Sequence, residues 1–519
     1  MREGRSLIAR PQAGKLARAG VCVALGCMLA GVGMNAAMHT AASPNRGDVQ
    51  SAYNRCANRD ILLIPAGTGT GWSSPLQVEK NITIKGAGRD STFLVNSASG
   101  TATPIFQVSA PGVWRITGIT FQETWSEGGG IGIMVQGSFG RINHCRFQQF
   151  DNRGIWNYGI LTLIDHNIFI DCWSDVGTYA DQWNAWKRPL GIGTTNAVFG
   201  EDNYFHKSGA FFTPVGIDHG QGARAVWRFN VLSNVGLDKF DYWLDAHGNQ
   251  GSPGYSRTAN ASTVFTESYS NFISVSRGMR GTYLRGGTHI HYNNTYKANS
   301  GNWVSYNNTI MCTEEDGYRC GNPLAFKYPA LMQISNSFFF AQTLNGKLVD
   351  NVNMSCPGST PISDPSQCSP CGQSDNYFIQ QNRDFRLNEK PATSFYKPIV
   401  YPHPRIVRDN DPPVAGAFTL TGPANNATGV AVQPTLTWSH SSGATGYRVQ
   451  LSSDVFFSEN LVDATLAAGT TNYTVPAGWL NSATPYYWRV LALNANGVRA
   501  GSDVQSFTFV TTPRPLGAD

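Results

Sequence analysis

Charged residues are scarce in this sequence: Asp, Glu, Lys and Arg make up 14% of its 519 residues, against about 25% in an average soluble protein. It has no long run of charge and no polar low-complexity tract. These absences exclude a disordered chain, a coiled coil and a long helical bundle. Glycine is abundant, at 55 residues, which favours an all-β protein with many turns, and the length predicts at least two domains.

Most of the excess positive charge lies at the N-terminus. The formal net charge is +5, and residues 1–42 contain five Lys or Arg residues and one acidic residue. The remaining chain is therefore nearly neutral. A neutral body lacks the basic surface that duplex nucleic acid requires, so we expect no nucleic-acid partner.

Residues 1–42 have the features of an export signal. A basic segment ends near Arg18, an apolar run extends from Val21 to about Val32, and Thr40-Ala41-Ala42 offers small residues for cleavage before Ser43. The apolar run is too short and too glycine-rich for a membrane span, although an uncleaved anchor is the alternative. We expect a secreted, periplasmic or cell-surface protein with no stable membrane insertion.

Eight cysteines follow residue 42, and export would permit them to form disulfides. The local candidates are Cys312 with Cys320, and a pair within Cys356, Cys368 and Cys371. Cys368-Ser-Pro-Cys371 could instead be half of a zinc site. The sequence has no second CxxC motif and no histidine pair at suitable spacing, so we assign no metal-binding residue.

A four-residue pattern recurs between residues 140 and 340. Six of its eight second positions are Asn, and every fourth position is a large apolar residue. The copies are His144–Phe147, His166–Phe169, Asp202–Phe205, Phe229–Leu232, Tyr269–Phe272, Asn293–Tyr296, Asn307–Ile310 and Ser335–Phe338. Repeats on this scale indicate stacked structural units.

We interpret the pattern as a parallel β-helix, in which each coil places a short strand about 4.8 Å from its equivalent in the previous coil. Asn side chains then form a ladder at one turn, and apolar side chains stack inside, where Cys145 and Cys172 are also expected to stack. The short step to Asn307–Ile310 is expected to join two different faces of one coil. The two longest steps predict loops inserted at 171–196 and 233–262. A β-propeller is the alternative architecture.

These segments resemble the right-handed parallel β-helix proteins of the pectate lyase-like superfamily, over about residues 50–400. Besides the Asn and Phe repeats, the resemblance is carried by Asn81–Gly88, Arg224–Asn230, His247-Gly248, Arg285–Thr288 and the closing segment Asp384–Leu387. The resemblance implies an all-β fold and a secreted protein. It implies no particular activity, because no complete lyase signature is present.

The C-terminal region predicts a second, smaller domain. Thr435–Trp438, Gly446–Leu451 and Tyr486–Val490 stand where a fibronectin type III-like sandwich has its core strands. We therefore divide the chain into a signal peptide at 1–42, a β-helix domain at 43–401, a Pro-rich linker at 402–414 and a β-sandwich at 415–513.

Aromatic side chains concentrate in the two predicted loops. Exposed aromatic residues are costly unless they pack or bind something, and their faces suit the CH faces of sugar rings. The alternative is that the tryptophans clamp the loops to the cylinder. The predicted substrate-binding residues are Trp183, Trp186, Arg224, Tyr242 and Trp243.

Basic residues and histidines flank the same loops. A lyase that cleaves uronate chains by β-elimination must neutralise the carboxylate, remove the C5 proton and protonate the leaving oxygen. His247, His219, Lys239 or an arginine could be the base, and Asp245 could orient His247. The predicted catalytic residues are Asp218, His219, Lys239, Asp245, His247, Arg280 and Arg285.

A glycoside hydrolase would instead need two carboxylates that flank the bond, and Asp218, Asp241, Asp245 and Glu267 are the candidates. The sequence has no dinucleotide-binding fingerprint, phosphate-binding loop or serine-hydrolase elbow. Its Asn-rich turns could bind Ca²⁺, but no Asp-rich loop has the required spacing. The cofactor requirement therefore stays open.

Taken together, the residues predict a monomeric exported enzyme that acts on a polysaccharide. We favour a lyase on an acidic, uronate-containing glycan, because basic residues outnumber plausible carboxylate pairs near the loops. A β-helix glycoside hydrolase and a non-catalytic glycan-binding or adhesive surface protein are the alternatives.

Overall fold

The structure is a computed structural model of the chain. It describes residues 36–98, 102–123, 129–208, 215–234, 242–248, 261–275, 279–298, 304–311, 332–355, 379–408, 418–442, 444–453, 460–493, 499–500 and 507–512. The proposed signal up to residue 35 and the predicted disulfide partners Cys312, Cys320, Cys356, Cys368 and Cys371 lie outside these ranges.

Three long sheets of parallel strands build a β-helix. In stacking order, sheet A contains Met38–Thr40, Ile61–Ile64, Thr83–Gly86, Trp114–Thr117, Gly140–Asn143, Leu163–Asp165, Val198–Glu201, Arg224–Arg228, Phe265–Tyr269, Thr288–Tyr292, Ser337–Phe340 and Phe385–Leu387. Sheet B contains Gly67–Trp72, Thr92–Asn96, Thr120–Gln122, Arg146–Gln148, Ile168–Ile170, Tyr204–Lys207, Val231–Asn234, Phe272–Val275, Thr295–Ala298, Thr343–Leu344 and the antiparallel Lys347–Leu348. Sheet C contains Leu76–Val78, Pro104–Val108, Ile131–Val135, Arg153–Asn157, Ser174–Tyr179, Val215–Gly220, Tyr242–Ala246, Met279–Leu284, Val304–Met311 and Asn353–Ser355.

Apolar side chains from equivalent strands stack inside the cylinder. Phe121, Phe147, Phe169 and Phe205 follow one another along sheet B, with ring centroids 5.1, 5.1 and 4.9 Å apart and nearly parallel planes. The spacing matches the distance between hydrogen-bonded strands. The fourth position of the repeat therefore supplies the core, as the sequence predicts.

From strand Gly140–Asn143 onward, the turn between sheets A and B has two residues, and its second residue forms the predicted ladder. In five coils this residue is a buried Asn, at positions 167, 203, 230, 271 and 294. From Asn203 onward, each Oδ1 accepts hydrogen bonds of 2.9–3.1 Å from the backbone N–H and the side-chain amide of the Asn one coil earlier. The ladder satisfies buried polar groups at every turn and fixes the register of the coils.

The repeat departs from the ladder in three places. Asn307–Ile310 lies within strand Val304–Met311 of sheet C, which confirms that the short step joins two faces of one coil. Asn336 precedes a strand of sheet A rather than following it. The ladder residue of the fifth copy is Asn271, so the predicted frame Tyr269–Phe272 is one residue early.

The inserted segments are shorter than predicted, because both predicted ranges contain strands of sheet C. Ser174–Tyr179 lies within 171–196, and Tyr242–Ala246 lies within 233–262. The first insertion therefore begins after Tyr179 and contains the short helix Gln182–Trp186. Both strands bring residues onto the cylinder that the sequence analysis places on loops.

The β-helix begins before the predicted boundary at residue 43. Strand Met38–Thr40 pairs with Ile61–Ile64 at the end of sheet A, and Ala41 is buried. Helix Arg46–Arg55 follows and buries Val49, Ala52 and Tyr53. Cleavage before Ser43 would therefore remove a paired edge strand.

The chain returns across sheet A after its last strand. Tyr401 donates hydrogen bonds of 2.7 and 2.8 Å to Asp202, and the backbone N–H of His403 donates to Glu201. Helix Pro404–Arg408 buries Ile406. The first half of the predicted 402–414 linker is thus packed against the β-helix.

The C-terminal region forms two small sheets with one shared apolar cluster around Trp438, Tyr447 and Trp488. One contains Leu420–Gly422, Thr435–Trp438 and Asn472–Thr474. The other contains Ala427–Val430, Phe507–Thr511, Pro485–Leu493, Gly446–Ser452, Asn460–Ala467 and Arg499–Ala500. The smaller β-sandwich is present, and its fibronectin type III-like character stays a prediction.

The described cysteines form no disulfide: Cys56, Cys145 and Cys172 are buried free thiols. Cys145 precedes a strand of sheet B, whereas Cys172 follows the strand of the next coil. They therefore do not occupy equivalent positions and do not stack as expected. Within the described ranges, no helix is long and apolar enough to cross a membrane.

Replacing Asn203 with Ala should lower the free energy of unfolding by about 3 kcal/mol, because buried partners on Asn167, Asn230 and Ile164 lose their hydrogen bonds. Urea denaturation measures the change. The exposed Asn54 on the N-terminal helix provides the control, and Asn54→Ala should change stability by less than about 0.5 kcal/mol. Equal effects of the two substitutions would contradict the ladder's role.

Candidate active site on the outer face of sheet C

One outward-facing column on sheet C contains the two predicted catalytic carboxylates. Strand pairing places Trp156, Gly177, Asp218, Asp245 and Tyr283 at equivalent positions of five successive strands. Their neighbours Ile155, Val176, Ile217 and Leu244 belong to the interior cluster. Alternation along each strand therefore turns the carboxylates to the outside of the cylinder.

The next outward column contains the remaining predicted groups. Tyr179 pairs with Gly220, and the backbone N–H groups of His247 and Arg285 continue the ladder to the preceding coils. Two neighbouring columns thus bring Tyr179, Asp218, Asp245, His247 and Arg285 together, although more than 100 positions of sequence separate the first from the last.

Asp218 is the centre of the site and is 4% exposed. Its Oδ2 lies 2.8 Å from Nη2 of Arg153 and accepts a hydrogen bond from the Tyr179 hydroxyl. Its Oδ1 lies 3.0 Å from Nε2 of His247. Burial alone would raise the pKa of Asp218, but His247, Arg153 and Tyr179 outweigh it and hold that pKa well below its usual range.

Arg153 reaches Asp218 from two coils away because Gly177 lies between them. A Cβ atom at Gly177 would stand 2.5 Å from Nε of Arg153 and 2.8 Å from its Cδ. The guanidinium also lies 4.6 Å from the ring centroid of Trp156 and 5.4 Å from that of Tyr179. The missing side chain at Gly177 therefore opens a channel across the sheet, and the Arg153 side chain occupies this channel.

Asp245 forms the second ion pair of the site, with Nη2 of Arg285. The Arg285 guanidinium stacks 4.8 Å from the ring centroid of Tyr283, and its Nη2 lies 3.5 Å from Nε2 of His247. Both acids are thus charge-paired. We call Arg153, Tyr179, Asp218, Asp245, His247 and Arg285 the ionic cluster.

His247 is the most accessible member of the ionic cluster, with 20% of its side chain exposed. Its Nε2 lies 3.0 Å from Asp218 and 3.6 Å from Asp245, so we assign the proton of the neutral ring to this nitrogen. The basic lone pair then belongs to Nδ1. Carboxylates that fix the tautomer and orientation of a histidine are a common arrangement for a general base.

A metal ion has three possible ligand atoms here, because Asp218, Asp245 and His247 place one each within 4.8 Å of one another. The carboxylates are already paired with Arg153 and Arg285, whose positive charges oppose a cation. Ca²⁺ takes six to eight oxygen ligands, and two paired carboxylates do not fit it. We derive no step that uses a metal.

Half-buried aromatic side chains stand on both sides of the cluster along sheet C. Trp156 and Tyr158 lie at one end, with their rings 5.4 Å apart. Tyr242 and Tyr283 stack at the other end, with centroids 5.2 Å apart. The four strand steps from Trp156 to Tyr283 span about 19 Å, which leaves room for several sugar residues of an extended chain.

Two predicted residues point into the cylinder instead. Trp243 is fully buried, and its ring packs edge-on against Phe205. His219 is fully buried and accepts a hydrogen bond of 2.8 Å from the indole of Trp227; burial lowers the pKa of His219 to about 3. Neither side chain faces the outside of sheet C, where the carboxylates lie, so neither belongs to the proposed site.

Two further predicted residues hold the insertion after Tyr179. Trp186 donates a hydrogen bond of 2.8 Å to the carbonyl of Ser262. Arg224 donates to three backbone carbonyls between residues 185 and 190. These contacts hold the inserted segment against the cylinder. For Trp186 this is the alternative role that the sequence suggests for the tryptophans.

The hydrolase candidate Glu267 lies on sheet A and is 1% exposed. Its oxygens accept hydrogen bonds from the Gly193 backbone and the Tyr396 hydroxyl. Burial raises the pKa of Glu267 to about 7. It is therefore not paired with the acids of sheet C.

Four candidate site residues from the sequence analysis remain. Lys239 and Asp241 lie outside the described residues. Arg280 pairs through its backbone with Tyr242 on sheet C, whose half-buried ring flanks the cluster. Trp183 is half-buried on the short helix Gln182–Trp186.

Neither Arg153 nor Tyr179 is singled out from the sequence, and Tyr179 falls within the predicted loop 171–196. The signal that could have found Arg153 is the alignment of equivalent strands, which sets it three positions before the column of Gly177 and Asp218. The glycine at the intervening position is the sequence feature that permits the contact.

No protein-family model and no curated protein matches the chain. Among solved structures, it is similar to an alginate lyase from Paenibacillus sp. str. FPU-7, at 12% identity and a TM-score of 0.35 over 62% of this chain and 98% of that one. A DFA-IIIase from Arthrobacter chlorophenolicus A6 is 11% identical, with a TM-score of 0.35, over 60% and 83%. Pectin methylesterase PemA from Erwinia chrysanthemi is 10% identical, with a TM-score of 0.28, over 64% and 96%. Similarity this low carries no argument about activity or substrate.

Replacing Gly177 with Ala should move Arg153 away from Asp218, since the new Cβ occupies the arginine's path. We expect a loss of about 1–3 kcal/mol in the free energy of unfolding, because a nearly buried carboxylate loses a charged partner. Denaturation and a crystal structure of the variant measure both effects. Gly47→Ala is the control, because no atom lies within 4 Å of a Cβ there. A variant that retains the 2.8 Å contact would refute the channel.

Proposed function

We propose that the protein is a secreted enzyme that cleaves an acidic, uronate-containing polysaccharide by β-elimination. The observation that carries this proposal is the partly exposed His247, held by Asp218 at 3.0 Å with Arg285 beside it on the outer face of sheet C. A base next to a guanidinium is what removal of a proton alpha to a carboxylate requires.

The proposed reaction assigns one role to each of three groups. Arg285 binds the uronate carboxylate and draws charge from C5. Nδ1 of His247 accepts the C5 proton, the electron pair forms the C4–C5 double bond, and the C4–O bond breaks. The leaving oxygen takes a proton from Tyr179, whose hydroxyl stays protonated because burial and the charge of Asp218 raise its pKa well above the usual value. Asp218 and Arg153 are positioning residues for His247 and Tyr179.

A retaining glycoside hydrolase is the second candidate, because Asp218 and Asp245 are register neighbours with side-chain oxygens within 4.8 Å of each other. Such an enzyme needs one carboxylic acid that is protonated before the reaction. The pKa of Asp218 is instead held low, and Asp245 is paired with Arg285. The charge state of the pair therefore favours elimination over hydrolysis.

Replacing His247 with Ala should lower kcat about 10²–10⁴-fold, the usual contribution of a general base. Activity is measured on a panel of acidic polysaccharides, including alginate and pectin, as ultraviolet absorbance of the unsaturated product and as new reducing ends. His440→Ala is the control, since His440 is exposed on the C-terminal sandwich. Circular dichroism should be unchanged in both variants.

The panel also separates the three functions. Elimination gives absorbance together with reducing ends, whereas hydrolysis gives reducing ends alone. A glycan-binding protein would be retained on a polysaccharide column and release no product. Full activity of His247→Ala, or products without the double bond, would refute the lyase proposal.

A further inference from the structure

A cavity of about 230 Å³ opens beside the ionic cluster, at the ends of strands Ser174–Tyr179 and Val215–Gly220. Its walls come from the turn at Gly159 and from the insertion around Pro189. No member of the ionic cluster lines it. The volume is below the roughly 300–1,000 Å³ of pockets for drug-sized ligands, so the cavity suits one small ligand, such as a single sugar residue.

The cavity contains a buried arginine that has no carboxylate partner. Four arginines are buried among the described residues, and three pair with acids: Arg141 with Asp165, Arg228 with Glu201 and Arg285 with Asp245. The fourth, Arg224, is 8% exposed and binds only backbone carbonyls, through Nε and Nη2. Its Nη1 donors remain available to a ligand in the cavity.

The cavity wall itself supplies no acid to Arg224, since its lining contains no acidic side chain. Arg188 also lines the cavity and forms an exposed ion pair of 3.3 Å with Asp181. Burial, and after it the charge of Arg188, lower the pKa of Arg224 to about 10, although the charge of the exposed Asp181 acts in the opposite direction. An anion would therefore be favourable here, because buried charges are normally paired.

We propose that this cavity binds one sugar-acid residue, with its carboxylate on Nη1 of Arg224 and on Arg188. The assignment deepens the proposed function, on which its choice of a sugar acid rests, by adding a recognition subsite separate from the ionic cluster. The two guanidiniums select for the acid, and the apolar wall around Leu161 and Val198 contacts the face of the ring.

The test is isothermal titration of the full chain with galacturonate and with glucuronate, and with galactose and glucose as neutral controls. We expect at least one sugar acid to bind and the neutral sugars not to bind. Arg188→Ala should weaken binding at least tenfold, because a charged hydrogen bond is lost. Arg386→Ala is the matched control: Arg386 is similarly exposed and pairs with Glu389 at 3.7 Å, so affinity should not change.

Failure of both acids to bind, or equal affinity in wild type and Arg188→Ala, would overturn the proposal.

The outcomes for the cavity and for catalysis are distinguishable. Binding of a sugar acid that persists in His247→Ala supports the cavity as a separate site. Turnover of an acidic polysaccharide without sugar-acid binding would refute the cavity proposal but not the lyase proposal. Sugar-acid binding without turnover of any polysaccharide would refute the lyase proposal but not the cavity proposal.

Discussion

The register in which one coil stacks on the next decides which side chains meet on the outer face of sheet C. The Asn ladder holds this register at one corner of every coil from 167 to 294, through both backbone and side-chain hydrogen bonds. A slip of one residue would reverse the facing of a strand. It would turn Asp218 into the apolar core, so the ladder that stabilises the fold also preserves the geometry of the site.

Within that frame, the ionic cluster gives each of its two buried acids a basic partner. Arg153 pairs with Asp218 and Arg285 pairs with Asp245, from opposite directions along the sheet. In the proposed reaction the paired acids orient the neighbouring groups. Proton transfer then falls to His247, whose side chain is 20% exposed, whereas those of Asp218 and Asp245 are 5% and 8% exposed.

The sequence predicts the fold well because its repeat is periodic, whereas the candidate site depends on how the coils stack. Residue type and position single out Asp218, Asp245, His247 and Arg285, which the structure brings together, but their partner Arg153 depends on a register that one sequence does not state. Trp243 points inward for a different reason: it and Leu244 both face the interior, so strict alternation breaks at this point of sheet C. Lys239 and the side chain of Arg280 lie outside the described residues, and their roles stay predictions, as does that of Trp183.

The cavity and the ionic cluster are built on the same strand but on different sides of it. Consecutive residues face opposite sides of a strand, so Thr178 lines the cavity while Tyr179 reaches Asp218. Strand Ser174–Tyr179 is paired on both sides, which fixes the two positions relative to each other. Because no side chain of the ionic cluster lines the cavity, a ligand could occupy the cavity without displacing any member of the cluster.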